Sequence, residues 1–193
     1  MNARPAATDA FRLARRTFMA GDRVDLKSLA TALDVDRSTL FRWLGNRDQL
    51  LVDILISLSD PTLSAIVVGA EGTGGRRVAR IAGEYAAALI GASYYREFMR
   101  REPERALRLI TTKASPVQRR VVDEFARVLE QECARGELTH PLRTNDLAYL
   151  IVRIIESFIY ADLITGDEPD AAKVETAVAA VLRVDDVSAP LTV

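Results

Sequence analysis

An all-α fold is what this sequence predicts, and three observations predict it. Of 193 residues 49% are apolar, enough for a sizeable core, while Gly (10) and Pro (7) are sparse. No stretch rich in Val, Ile or Thr alternates apolar with polar residues as a half-buried strand does. Apolar residues instead recur three and four apart, the period of an amphipathic helix. At this length the chain is one large or two modest domains. One Cys (Cys133) rules out an intramolecular disulfide framework, and with one His (His140) it argues against a structural zinc site. No metal and no cofactor are expected. The N-terminus lacks the apolar run of a secretory signal, so a reducing cytoplasm is the expected compartment.

Taken in order, residues 1–7 read as an arm from which Arg4 could track a nucleic-acid backbone. Thr8–Ala20 reads as the first helix, with Phe11, Leu13, Ala14 and Phe18 inward and Gly21-Asp22 ending it. Its Arg12, Arg15 and Arg16 fit either phosphate contacts or ordinary solvated charge. Asp25 is a good N-cap for a helix whose Leu26, Leu29, Ala30 and Leu33 form one apolar stripe. Asp34-Val35 makes a tight turn, and Asp36 caps a second short helix. There Arg37, Ser38 and Thr39 face outward while Leu40 and Leu44 face in. Two short helices across a tight turn, spanning about residues 26–44, are a helix-turn-helix. Its second helix offers short polar and basic side chains to a DNA major groove. A capped helical hairpin in an all-α core is the alternative, but Arg42 and Trp43 replace the usual Glu/Lys mixture of a solvated face. No acidic residue lies between Arg37 and Arg47. The next helix opens with Asn46 and Arg47, where backbone N–H groups can also meet a phosphate. Expected DNA contacts are therefore Lys27, Ser28, Arg37, Ser38, Thr39, Arg42, Trp43, Asn46 and Arg47.

The run from Phe18 to Leu51 resembles the DNA-binding domain of the TetR family of bacterial transcriptional regulators. Leu29-Ala30, Val35, Thr39-Leu40-Phe41, Gly45, Asp48 and Leu50-Leu51 fall where that signature has Ile-Ala, Val, Thr-Leu-Tyr, Gly or Lys, Glu and Leu-Leu. Three departures stand out. Asp34 replaces the usual turn Gly and must accept a left-handed backbone. Asp25 replaces a Thr that often touches phosphate. Trp43-Leu44 replaces an aromatic pair, leaving an indole N–H as the available donor. The resemblance implies a three-helix head over residues 1–52 and a C-terminal effector-binding and dimerisation bundle over 53–193. Net charge supports such a split weakly: residues 1–50 hold nine Lys/Arg against six Asp/Glu, and residues 51–193 seventeen against twenty-one.

The connector should start at Arg47 and run through Leu58 to Asp60-Pro61. Gly69–Gly75 reads as a loop, with no preceding strand or Gly-Lys-Ser/Thr to make it a phosphate cradle. Helices follow at about 76–91, 94–101, 103–111 (Pro103 in a first turn) and 116–135, stopped by Gly136. A helix over 144–165 is the most apolar in the chain. Its length approaches a bilayer span, but Arg153 and Glu156 at its centre oppose insertion. Greasy on more than one side, it should pack on its own domain and on a second copy, together with a last helix over 170–184. Two heads related by a two-fold axis call for a palindromic operator with half-sites about 34 Å, or a multiple of it, apart.

Residues 75–165 look like the family's effector domain. Inward aromatic and apolar groups there, some with a polar handle, are candidates to touch a ligand: Tyr85, Leu89, Tyr94, Tyr95, Phe98, Phe125, Leu129, Glu156, Phe158 and Tyr160. Each also fits ordinary core, and an ion pair with Arg153 is the plain alternative for Glu156. Residues 92–100 and 136–142 resemble more loosely the subgroup that controls degradation of quorum-sensing lactones, implying a γ-lactone or acyl-homoserine-lactone effector. Catalysis is not expected: neither Cys133 beside Glu132 nor His140 has an identifiable partner for nucleophilic or acid–base work. The sequence does not separate repressor from activator or from an effector-independent DNA binder.

Overall fold

The structure is a computed structural model describing residues 6–184. The arm with Arg4 lies outside the described residues, except that Ala7 already begins a helix. Among the described residues there are eleven helices and no strand. They are α1 (Ala7–Met19), α2 (Leu26–Ala32), α3 (Arg37–Leu44), α4 (Arg47–Gly69), α5 (Gly74–Gly91) and α6 (Ser93–Arg101). After them come α7 (Pro103–Thr111), α8 (Val117–Ala134), α9 (Thr144–Ile159), α10 (Ala161–Ile164) and α11 (Ala171–Val181).

Two compact units divide them: Met1–Ser59 with Ala92–Val117, and Asp60–Gly91 with Gln118–Val193. The expected head of residues 1–52 falls inside the first unit, which also takes in α6 and α7. There Phe18 of α1 meets Tyr94 and Phe98 of α6, with ring centroids 5.9 and 5.4 Å apart in tilted and edge-to-face geometry. In the second unit α11 lies along α5, and α9 packs on both. The α5–α11 approach is close at Gly83, where a Cβ would stand 2.8 Å from that of Glu175.

Two expectations about the elements need correction. The connector does not stop at Pro61: α4 continues to Gly69 with the proline inside it. Burial of Leu63 supports the extra turns, and Arg77 receives their last carbonyls. Its Nη2 donates to Val67 O at 2.6 Å and its Nε to Ala70 O at 3.1 Å. Arg77 is held in turn by the fully buried Glu132, whose carboxylate also accepts the Gly74 N–H at 2.7 Å. Second, the helix expected over 144–165 breaks at Tyr160 into α9 and α10. Among the described residues the helix long and apolar enough to cross a membrane is α4. In the first unit that helix buries Leu50, Leu51 and Ile54 completely.

Candidate nucleic-acid interface

The turn between α2 and α3 is closed by backbone geometry. Val35 N–H donates to Ala30 O at 3.1 Å and Asp34 N–H to Thr31 O at 3.2 Å, the paired bonds of a Schellman stop. The residue between must be left-handed, and Asp34 is, at φ 52°. The start of α2 is capped as expected: the Asp25 carboxylate accepts from Ser28 N at 2.9 Å and Ser28 Oγ at 3.0 Å. Those bonds, the Ser28 N–H first, hold the Asp25 carboxyl below its ordinary range. Asp36 occupies the N-cap position of α3, but its side chain makes no capping bond, contrary to expectation. At the other end Gly45 (φ 69°) turns the chain into α4, where a Cβ would stand 2.5 Å from Gln49 Oε1.

On α3 the exposed residues are Arg37, Ser38, Phe41 and Arg42. At ~100° per residue they share one arc of about 140°. Leu40 and Leu44 are buried. Thr39 and Trp43, expected on the outer face, are half-buried and lie outside that arc. They line an open cleft of about 840 Å³ between α2 and α3 with Lys27, Thr31, Asp34, Asp36, Arg37 and Arg42.

Among the described residues Lys27, Arg37 and Arg42 form no ion pair, whereas arginines elsewhere in this unit do: Arg12 with Asp9, Arg100 and Arg101 with Glu97, Arg108 with Asp48. Unpaired guanidinium groups on an exposed helix face are ready for phosphates or for guanine O6/N7.

Three expected contacts have other work. The Ser28 hydroxyl is engaged by Asp25. Asn46 Oδ1 accepts Gln49 N–H at 2.9 Å, capping α4. Arg47 is the clearest correction. Its Nε donates to Val24 O at 2.6 Å and its fork grips Glu102 at 2.6 and 2.5 Å, with the side chain only 16% exposed. It ties the α1–α2 loop, the start of α4 and the α6–α7 junction together, so three of its five N–H donors are engaged within the chain. Glu102 was opaque in the sequence because its partner lies 55 positions away.

Phe41 is the functional candidate that sequence reasoning passed over: it counted only as an aromatic in the motif, yet it is 57% exposed. Its signal was present in the helical wheel, since Phe41 falls between Arg37 and Ser38.

The effector candidates divide between the units. Tyr94, Tyr95 and Phe98 lie in the first, and the gap beside the Phe18 cluster is about 10 Å³, too small for more than one water. Tyr94 and Phe98 serve as packing of α6 on α1. In the second unit Phe125, Leu129 and Tyr160 are fully buried, Tyr85 nearly so, and Leu89 and Phe158 half-buried. Glu156 is buried, accepts from Gln118 Nε2 at 2.7 Å and pairs with Arg153. Burial raises its carboxyl above the ordinary range, and the Gln118 and Arg153 contacts offset part of that rise.

A helix-turn-helix with an exposed basic face, in a chain otherwise built of helices, is the arrangement of a DNA-binding regulator. Comparison gives that class a family. A family model described as "Tetracyclin repressor-like, C-terminal domain" matches residues 73–183, and this chain belongs to the TetR family of bacterial transcriptional regulators. It is similar to the R. erythropolis transcriptional repressor QsdR of that family, at 26% identity over 95% of this chain and 97% of the other, with TM-score 0.84. The fold is shared with FadR from Bacillus subtilis, solved with stearoyl-CoA (10% identity, 92% and 97% covered, TM-score 0.60). A TetR-family regulator from Rhodococcus sp. shares it too (17%, 91% and 97%, TM-score 0.55). Among curated proteins no match is found.

Proposed function

We propose that the protein is a homodimeric repressor that holds a palindromic operator through two copies of α3 and releases it when a small, largely apolar effector binds. Residues 1–52 serve as the DNA-binding part and 53–193 as the effector-binding and dimerisation part. The observation that carries this is the exposed arc of Arg37, Ser38, Phe41 and Arg42, with no ion pair for either arginine among the described residues. Likeness to QsdR, itself described as a repressor, supports the sign of the regulation. A γ-lactone or acyl-homoserine lactone is the effector class to test first, on the strength of residues 92–100 and 136–142. We assign its polar anchor to Glu156, a buried carboxylate held by Gln118 and Arg153. Dimerisation through α9 and α11 is supported by the outward strip of Leu150, Ile154 and Phe158 on α9, which is only half-buried. The role is binding, not catalysis, and it is carried out in the cytoplasm where the operator is.

Binding-site selection from random duplexes with the full chain, followed by fluorescence anisotropy, tests the reading. A palindromic site should emerge, and lactone titration should release it. Arg37→Ala should weaken the selected site about ten- to a hundredfold, the value of one or two good base contacts, and relax its sequence preference. Recovery of no preferred duplex would overturn the whole proposal. Unchanged affinity of Arg37→Ala would overturn the assignment of α3.

A further inference from the structure

Phe41 presents a large apolar surface where an ordinary solvated helix would carry a charge. It is 57% exposed in the middle of the outer arc of α3, with Arg37 one turn before it and Arg42 beside it. Leu40 and Leu44 supply the inward anchoring of α3, so the core gains nothing from holding Phe41 outside. Phe41 has no ring partner among the described aromatic contacts, which join Phe18 to Tyr94 and Phe98. A phenyl ring also lacks a donor for phosphate. In a major groove the one apolar feature a ring can select is the 5-methyl group of thymine.

We infer that Phe41 is a specificity-determining residue that reads thymine methyl groups in each half-site, flanked by arginines that read guanine or hold the backbone. The inference rests on the operator-binding reading above and deepens it by naming what the middle of the recognition face selects. The arginines set the register, and Phe41 rewards a buried methyl rather than a hydrogen bond.

The test uses full-length protein and the duplex obtained by selection. Wild type should enrich thymine at one or more fixed positions per half-site. Replacing that thymine by deoxyuridine removes only the methyl, and should weaken wild-type binding about three- to tenfold. Phe41→Ala should bind thymine and uracil duplexes equally and lose the enrichment on reselection, while Phe41→Leu should keep part of the discrimination. Because the side chain lies outside the core, both variants should keep wild-type circular dichroism and melting. A wild type that selects a site but binds both duplexes alike would overturn this inference and leave the operator reading standing. So would a Phe41→Ala variant that still prefers thymine. A wild type that selects no site would overturn both.

Discussion

At the scale of single residues, the head is held by side chains whose partners decide their role more than their charge does. Arg47 and Glu102 illustrate this. The guanidinium on Glu102, with burial opposing it, holds that carboxyl below its ordinary range, and Arg105 adds a third donor at 2.9 Å. A carboxyl depressed in the folded state stabilises above its unfolded pKa, and that stabilisation is lost as pH falls through the folded value. Glu102→Gln should therefore cost about 1–3 kcal/mol at pH 7, the range for hydrogen bonds to charged groups. Its gap to wild type should close as pH drops below about 4.5, which urea unfolding at a series of pH values will read. A gap unchanged at pH 3 would show that packing, not charge, is at stake. The sequence announced Arg47 as basic and well placed for DNA, and the structure engages it with Val24 O and Glu102. Asp34 is the opposite case: its departure from Gly predicted a left-handed turn, and the backbone has one.

At the scale of elements, periodicity located nearly every helix. Local rules carry a helix through Tyr160, where the structure divides it into α9 and α10, and they end one at Pro61, where tertiary packing overrides them. At Pro61 the missing N–H and the ring's crowding of the Ser57 carbonyl are outweighed by buried Leu63 and by the Arg77–Glu132 pair receiving the last carbonyls. Neither Arg77 nor Glu132 could be matched from sequence, as they lie 55 positions apart on helices of unremarkable composition. The proline is thus tolerated rather than needed. Pro61→Ala restores a helical donor at an exposed site and should raise stability by about 1–3 kcal/mol, seen as a higher urea midpoint with unchanged helicity. A lower midpoint would mean that the proline's shape is itself required in α4.

At the scale of the whole molecule, apolar surface on α9 is left partly uncovered among the described residues. Leu147, Ile151, Ile155 and Ile159 are buried on one side, while Leu150, Ile154 and Phe158 repeat every fourth residue only half-covered, with Tyr149 51% exposed nearby. In sequence the two sides could not be told apart, because both are Leu, Ile and Phe; burial in the structure separates them. If the second side meets its own image in a partner, Ile154 stands at the middle of the strip. An arginine there would be desolvated against apolar groups with no acid to pair it, a cost of several kcal/mol to association but little to the protomer. Ile154→Arg should sediment as a monomer with unaltered circular dichroism, and should lose well over tenfold in operator affinity. The loss comes from the second half-site, whose binding is intramolecular only while the heads are joined. Salt titration distinguishes this from damage to the head: each isolated head keeps its own phosphate contacts, so the slope of affinity against salt should fall toward half. A variant that stays dimeric would move the interface off α9, and a monomer with full operator affinity would remove the reason for a palindrome.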